Sequence, residues 1–175
     1  MQSFGPVAPY YDELMRSVPY RMWVAYYLLL LSQQDCHPKT MLDVCCGTGS
    51  MSELLTQEGF KLAGLDLSPG MVEVAKAKAA KAKQKIDYFV ADASDFELGR
   101  TYDAAFSFFD SLNNIVDPNR FQNALACVAD HLKPGGSFVF DLNTEYAFVM
   151  KMFDQKQLKP EARLRYKWVS EYDTE

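Results

Sequence analysis

The residues best placed to do chemistry are two glycines and a set of carboxylates. Gly47 and Gly49 flank Thr48, between an apolar run, Thr40–Cys45, and a helical run that starts at Ser50. Glycines at such a strand-to-helix turn allow tight turning and close approach of a ligand to the backbone. The helix that follows offers unpaired N–H groups. Asp66 lies near the end of a second apolar run, Lys61–Leu67, and is 17 residues beyond Gly49. A carboxylate in that place can accept hydrogen bonds from both hydroxyls of a ribose. It would repel a 2′-phosphate. Turn and acid together point to an adenosine-containing ligand. Each has a plainer alternative: a purely structural turn for the glycines, and a cap on the turn into Ser68-Pro69 for Asp66. The full G-x-G-x-x-G fingerprint is missing, because Ser52 stands at the third glycine, and there is no GxxxxGK[ST].

Other reactive side chains read as structural. Cys45 and Cys46 sit side by side at a strand end, with no histidine arranged to activate a thiol, so they are filler rather than a nucleophile. Cys36 and Cys127 complete the four cysteines. With no CxxC and only two histidines, His37 and His131, no metal site is expected. His131 falls at a helix end, where it suits the helix dipole. Lys76, Lys78, Lys81, Lys83 and Lys85 read as a solvated helix face rather than an anion site. Asp92 and Asp95, taken alone, are acids that solubilise a loop.

These groups need elements to hold them. A chain of 175 residues, 49% hydrophobic and 23% charged, makes one globular domain with a real core. A formal net charge of -5 argues against nucleic acid as the main partner, since phosphate binding wants a basic surface. The longest apolar run, near Tyr26–Leu31, is far short of the ~20 residues that span a bilayer. The start Met1-Gln-Ser-Phe4 lacks the features of a signal peptide. The expectation is a cytoplasmic enzyme with reduced thiols and no membrane partner.

Periodicity and punctuation predict helices over 20–34, 50–57, 69–83 and 118–132. They predict strands over 40–45, 61–67, 86–91, 102–109 and 137–142, with Lys133–Gly136 as a turn. A short helix can open at Tyr10, Tyr11 and Asp12, and another over Tyr146–Phe153. Arg163–Tyr172 alternates like an antiparallel strand with one wet face. Along strand four, alternation puts Phe106 and Phe108 on one face and Phe109 on the other. Strands alternating with helices imply an α/β, doubly wound, mostly parallel sheet covered on both faces. Ligands bind such sheets beyond the C-terminal strand ends.

The run Leu42-Asp-Val-Cys-Cys-Gly-Thr-Gly-Ser50 resembles motif I of class I S-adenosylmethionine-dependent methyltransferases. Gly64-Leu-Asp-Leu-Ser-Pro-Gly-Met71, Phe89-Val-Ala-Asp-Ala-Ser-Asp-Phe96, the strand-four segment Tyr102–Ile115 and Leu132–Asn143 resemble the family's later elements, in order. One departure is Cys45, where the family's D/E-x-G-x-G-x-G has its first glycine. The resemblance implies a Rossmann-like class I methyltransferase fold with S-adenosyl-L-methionine as cofactor. It implies that Asp43 anchors the glycine loop and holds the cofactor's amino group, directly or through water. The backbone at Cys45, Gly47 and Gly49 would pass the methionine part, and Asp66 would bind the ribose. Leu67 and Met71 would line the adenine pocket, Asp92 would accept from the adenine amino group, and Ala93 would offer its N–H. Phe109 and Asp110 would sit beside the reacting centre, with Asp110 as the candidate general base and Asn113 or Asn114 orienting the acceptor. Tyr10-Tyr11-Asp12 resembles the lead-in of small-molecule methyltransferases, which closes over the cofactor; the plainer alternative is surface packing.

The implied organisation is a helical cap over residues 1–39, a cofactor-binding core over 40–143, and the start of an insertion or substrate-side β segment over 144–175. The family's final strands have no counterpart in this sequence, so a C-terminally truncated chain is the expectation, with an exposed edge strand that could form a homodimer. The implied activity is methyl transfer to a small-molecule acceptor, since strand four ends Phe-Asp-Ser-Leu rather than in the Asn-Pro-Pro-Tyr of enzymes acting on DNA bases or protein glutamines. A methyltransferase-like scaffold domain and an NAD-dependent oxidoreductase are the alternatives.

Overall fold

The computed structural model describes residues 4–171, so Met1–Ser3 and Tyr172–Glu175, including the expected strand's last residue and the acidic end, lie outside it. A 3-10 turn, Gly5–Tyr10, runs straight into α1 (Tyr11–Leu14), and α2 (Tyr20–Gln33) follows. Then come β1 (Thr40–Val44), α3 (Ser50–Gln57), β2 (Lys61–Asp66), α4 (Pro69–Lys81), β3 (Asp87–Val90) and β4 (Tyr102–Ser107). A 3-10 turn, Ser111–Asn114, leads to α5 (Pro118–Asp130) and β5 (Leu132–Phe140). The described residues through Asp141 form one compact unit and those from Leu142 a second. The second unit holds α6 (Glu145–Val149) and an antiparallel pair, β6 (Gln155–Gln157) with β7 (Tyr166–Trp168).

The first unit is the expected doubly wound sheet. Its five strands run in the order β3-β2-β1-β4-β5, all parallel. Strand β1 is buried on both sides, which is why its sequence reads as a near-continuous apolar run. Met41 faces Val24, Tyr27 and Leu31 of α2 and Met51 and Leu55 of α3. Leu42 and Val44 face the other way, toward Ala124 and Val128 of α5. Two helices start on a capping side chain followed by proline: Ser68 before Pro69 accepts from the Met71 amide at 3.4 Å, and Asp117 before Pro118 accepts from Asn119 at 2.9 Å and Arg120 at 3.0 Å.

Three sequence expectations fail, each for a local reason. The predicted turn Lys133–Gly136 lies inside β5, as an irregularity between the pairings Tyr102↔Leu132 and Ala104↔Ser137, with Gly135 at φ 80°. Strand β4 stops at Ser107, because Phe109 and Asp110 both turn left-handed, at φ 63° and 52°. Strand alternation therefore does not reach Phe109, and its ring packs on the same side as Phe106 and Phe108. His131 is buried, accepting a hydrogen bond from the Leu98 amide at 3.0 Å and bonded to the Cys127 carbonyl at 2.7 Å. It caps α5, where the sequence places it, and joins that helix end to the loop before β4, with Glu97 Oε1 3.4 Å from its Nε2. All four cysteines are free.

Candidate active site

The C-terminal ends of β1, β2 and β4 converge on the segment from Cys45 to Gly49. Within it Cys45, Gly47 and Gly49 all take left-handed conformations, at φ 61°, 53° and 77°. Cys45 thus carries a side chain in a conformation that favours glycine. Gly49 is required for packing as well. A Cβ there would run into the ring and hydroxyl of Tyr88 and lie 3.2 Å from Ala75 Cβ. Gly64 on β2 is equally tight, with Tyr88 ring atoms 2.9 Å from a Cβ position. The Tyr88 ring therefore crosses Gly64 and puts its hydroxyl against Gly49. Gly47 differs, since a Cβ there meets only the edge of Tyr11 at 4.0 Å. The open side of the turn is the side that Tyr11 covers. Gly49, the cap of α3, gives no side-chain hydrogen bond to the helix's first amides.

Two carboxylates frame this turn. Asp66 accepts from the Gly47 amide at 2.9 Å through Oδ2 and from the Ser68 amide at 2.8 Å through Oδ1. Each oxygen keeps a lone pair for a further donor. Burial raises its pKa, against those two backbone bonds. Asp43 is 4% exposed and accepts from the Ser52 hydroxyl at 2.6 Å. Burial, helped by the nearby charge of Asp66, pushes its pKa up to about 7. Asp43 is therefore poised to take up or release a proton near neutrality.

A cavity opens between the turn and an aromatic wall. Tyr11, Asp43, Cys45 and Gly47 line it on one side, and Tyr20, Phe106, Phe108 and Phe109 on the other. Burial, then the charges of Asp110, Asp66 and Asp12, pushes the Tyr11 phenol up to about 12, which keeps it a neutral donor. The Phe109 ring lies 5.1 Å from both Tyr20 and Trp23, edge on. Its backbone is held from β5. The Asp141 carboxylate accepts from the Asp110 amide at 3.2 and 3.3 Å. The Asp110 carbonyl accepts from the Asn113 amide at 3.0 Å and the Asn114 side chain at 3.4 Å.

The remaining sequence candidates fall at the rim or outside the cavity. Leu67 is 50% exposed next to Asp66, while Met71 and Ala93 are buried. The Ala91 amide donates to the Asp66 carbonyl at 3.0 Å and so brings the Asp92 loop beside Leu67. Asp92 already has partners: the Ser94 amide at 2.9 Å and hydroxyl at 2.7 Å, and the Arg120 guanidinium. Burial acts to raise its pKa, but Ser94 and Arg120 outweigh it and the net shift is downward. Any further donor to Asp92 shares it with Arg120.

Sequence reasoning missed Tyr20, Tyr88, Arg120 and Asp141. It also misread Lys78, whose ammonium is not on a solvated face but pairs with Asp12 at 2.8 Å and Glu53 at 3.0 Å. The signal was there: Lys78 continues the Met71–Ala75 spacing of the buried helix face. Nothing in the sequence marks Arg120 or Asp141. Among the described residues no cluster of three metal-ligating side chains occurs, and no helix is long and apolar enough to cross a membrane.

Residues 41–136, more than half of the chain, match the family described as Methyltransferase domain. The chain belongs to the class I S-adenosylmethionine-dependent methyltransferase superfamily. A methyltransferase by name from Geobacillus sp. (strain WCH70) is 32% identical over 145 residues, which are 82% of this chain and 59% of that protein. The crystal structure of an S-adenosylmethionine-dependent methyltransferase from Clostridium acetobutylicum ATCC 824 superposes with a TM-score of 0.82 at 28% identity, covering 97% of this chain and 70% of that one. CalS10, an amino pentose methyltransferase from Micromonospora echinaspora solved with S-adenosylmethionine bound, gives 0.68 at 25% identity, over 76% of this chain and 55% of that one. This methyltransferase chain thus spans about three-fifths of the length of the Geobacillus relative. The family match favours the methyltransferase reading over the nicotinamide-dependent one.

Proposed function

We propose that this chain binds S-adenosylmethionine between the Cys45–Gly49 turn and Tyr11, and that its protein passes the methyl group to a small-molecule acceptor. The observation that carries the reading is Asp66, fixed by two backbone amides at the tip of β2 with acceptor capacity left for a ribose diol. The residues present fit the cofactor. Asp43 offers a carboxylate to an ammonium, Gly47 leaves the side of the turn under Tyr11 open, and Leu67 offers an exposed apolar surface. Asp92 serves the adenine amino group only with the oxygen it shares with Arg120. The Ala93 N–H adds a ring contact.

When bound, the cofactor supplies an electrophilic methyl group on a positive sulfur. The chain's own residues bind, orient and exclude water. Tyr11 covers the glycine turn as a neutral donor, and Phe109 and Tyr20 keep the reacting region dry. Asp110, held by Asp141, is the candidate base for an acceptor that must lose a proton, and Asn113 the candidate orienting group. A small acceptor is supported by the amino pentose enzyme among the structural neighbours and by the Phe-Asp-Ser-Leu end of β4. The test is methyl transfer from methyl-labelled S-adenosylmethionine by the full-length protein. Label should move to a small amine, hydroxyl or thiol from a panel. Transfer to DNA, RNA or protein alone contradicts the acceptor assignment, and no transfer to any of them supports a scaffold role.

A further inference from the structure

We infer that Lys78 is a positioning residue that sets both tyrosines of the cavity wall; this rests on the cofactor reading above. Lys78 stands in the last turn of α4, outside the cavity. Its side chain is about three-quarters buried, and its ammonium ties α4 to α1 and α3 at once. It pairs with Asp12 of α1 at 2.8 Å and Glu53 of α3 at 3.0 Å, and donates to the Ser50 hydroxyl, at the start of α3, at 3.2 Å. Those three partners satisfy all three of its protons.

Two lines run from this cation to the cavity. Asp12, held through Oδ2, accepts from the buried Thr48 hydroxyl at 2.5 Å through Oδ1. Thr48 lies between Gly47 and Gly49, and Asp12 follows Tyr11, so one carboxylate pins α1 to the glycine turn and fixes Tyr11 above Gly47. On the other line, Ser50 lines the cavity together with Tyr20, whose ring lies 5.1 Å from that of Phe109. Without the ammonium, Asp12 and Glu53 would face each other as like charges, and Ser50 would lose the donor that orients it. Helix α1 has only four residues and no buried side chain of its own, so its place over the glycine turn leans on Asp12.

The experiment compares hydrogen–deuterium exchange and calorimetric S-adenosylhomocysteine binding in wild type, Lys78→Met and Lys78→Arg. In Lys78→Met, exchange over residues 5–14 should rise about tenfold, with β1 and β2 unchanged and S-adenosylhomocysteine affinity about tenfold weaker. Lys78→Arg, which keeps the charge, should recover most of both. Unchanged exchange over 5–14 in Lys78→Met overturns the inference, and so does an equal rise through β1 and β2, which marks a merely structural role. If Lys78→Met does not fold, Asp12→Asn takes its place. It keeps an acceptor for Thr48 but removes the charge, and should show the same local release; no release there also overturns the inference. Failure of the wild type to bind S-adenosylhomocysteine would count against the proposed function alone, because exchange without ligand still reads the Lys78 contacts.

Discussion

The Gly47 amide donates to Oδ2 of Asp66 at 2.9 Å, across 19 residues of sequence, tying the turn after β1 to the tip of β2. The second oxygen of Asp66 is held by Ser68 at 2.8 Å. Both oxygens are therefore acceptors, and a side-chain amide cannot replace them. In Asp66→Asn one N–H faces a backbone N–H. The predicted loss is about 1–3 kcal/mol in urea unfolding, as for a buried donor left unmatched. A loss below experimental error would mean that the turn does not depend on this bond.

Gly49→Ala should be more damaging than Gly47→Ala. Both positions are left-handed, so both substitutions carry backbone strain of about 1–2 kcal/mol. Only at Gly49 does the new methyl also meet Tyr88 and Ala75. The combination Gly49→Ala with Tyr88→Leu should recover part of the difference. Equal losses at the two glycines, measured by thermal unfolding, would remove Tyr88 from the account.

Much of this frame is legible in the sequence, and the reasons are local. Pro69 after Ser68 and Pro118 after Asp117 mark their helix starts, and the apolar run at Met41–Val44 marks a strand buried on both sides. Gly47, Gly49 and Asp66 are legible because each answers a backbone or ligand need tied to a strand end. Tyr88, Lys78 and Asp141 are not legible in that way, because their roles depend on which strands and helices become neighbours. Tyr88 acts on Gly49 only because β3 lies beside β2. Asp141 acts on Asp110 only because β5 lies beside β4. The early stop of β4 escaped notice for a related reason: Phe109 is not a residue that announces a left-handed turn, and the turn it opens is held from another strand.

Asp43 predicts a pH dependence with a definite sign. Its folded pKa, about 7, lies above its ordinary 3.8 because burial disfavours the charge. Its contribution is fully present below about pH 4 and is lost as pH rises through about 7. The stability of wild type minus that of Asp43→Asn should therefore fall across that window. A bound ammonium favours the charged carboxylate, so S-adenosylmethionine affinity should rise over the same range, with proton release detectable in buffers of different ionisation enthalpy. A flat or rising stability difference would contradict the assignment.

Asp141→Ala should loosen the Phe109–Asp110 turn without unfolding the sheet. The Asp110 amide loses its acceptor, and the left-handed pair Phe109–Asp110 loses its clamp. The expected cost is about 1–3 kcal/mol. Because Trp23 packs 5.1 Å from Phe109, its fluorescence should shift, read in a Trp168→Phe background. An unchanged Trp23 spectrum would show that Phe109 holds its place without Asp141.

The central claim is that an adenosine-containing methyl donor sits on Asp66. Titration calorimetry with S-adenosylmethionine and S-adenosylhomocysteine, on wild type and Asp66→Ala, tests it most directly. Binding of both ligands by wild type, lost in Asp66→Ala, is the predicted result. Affinity of the variant within about threefold of wild type, less than 1 kcal/mol, would contradict it.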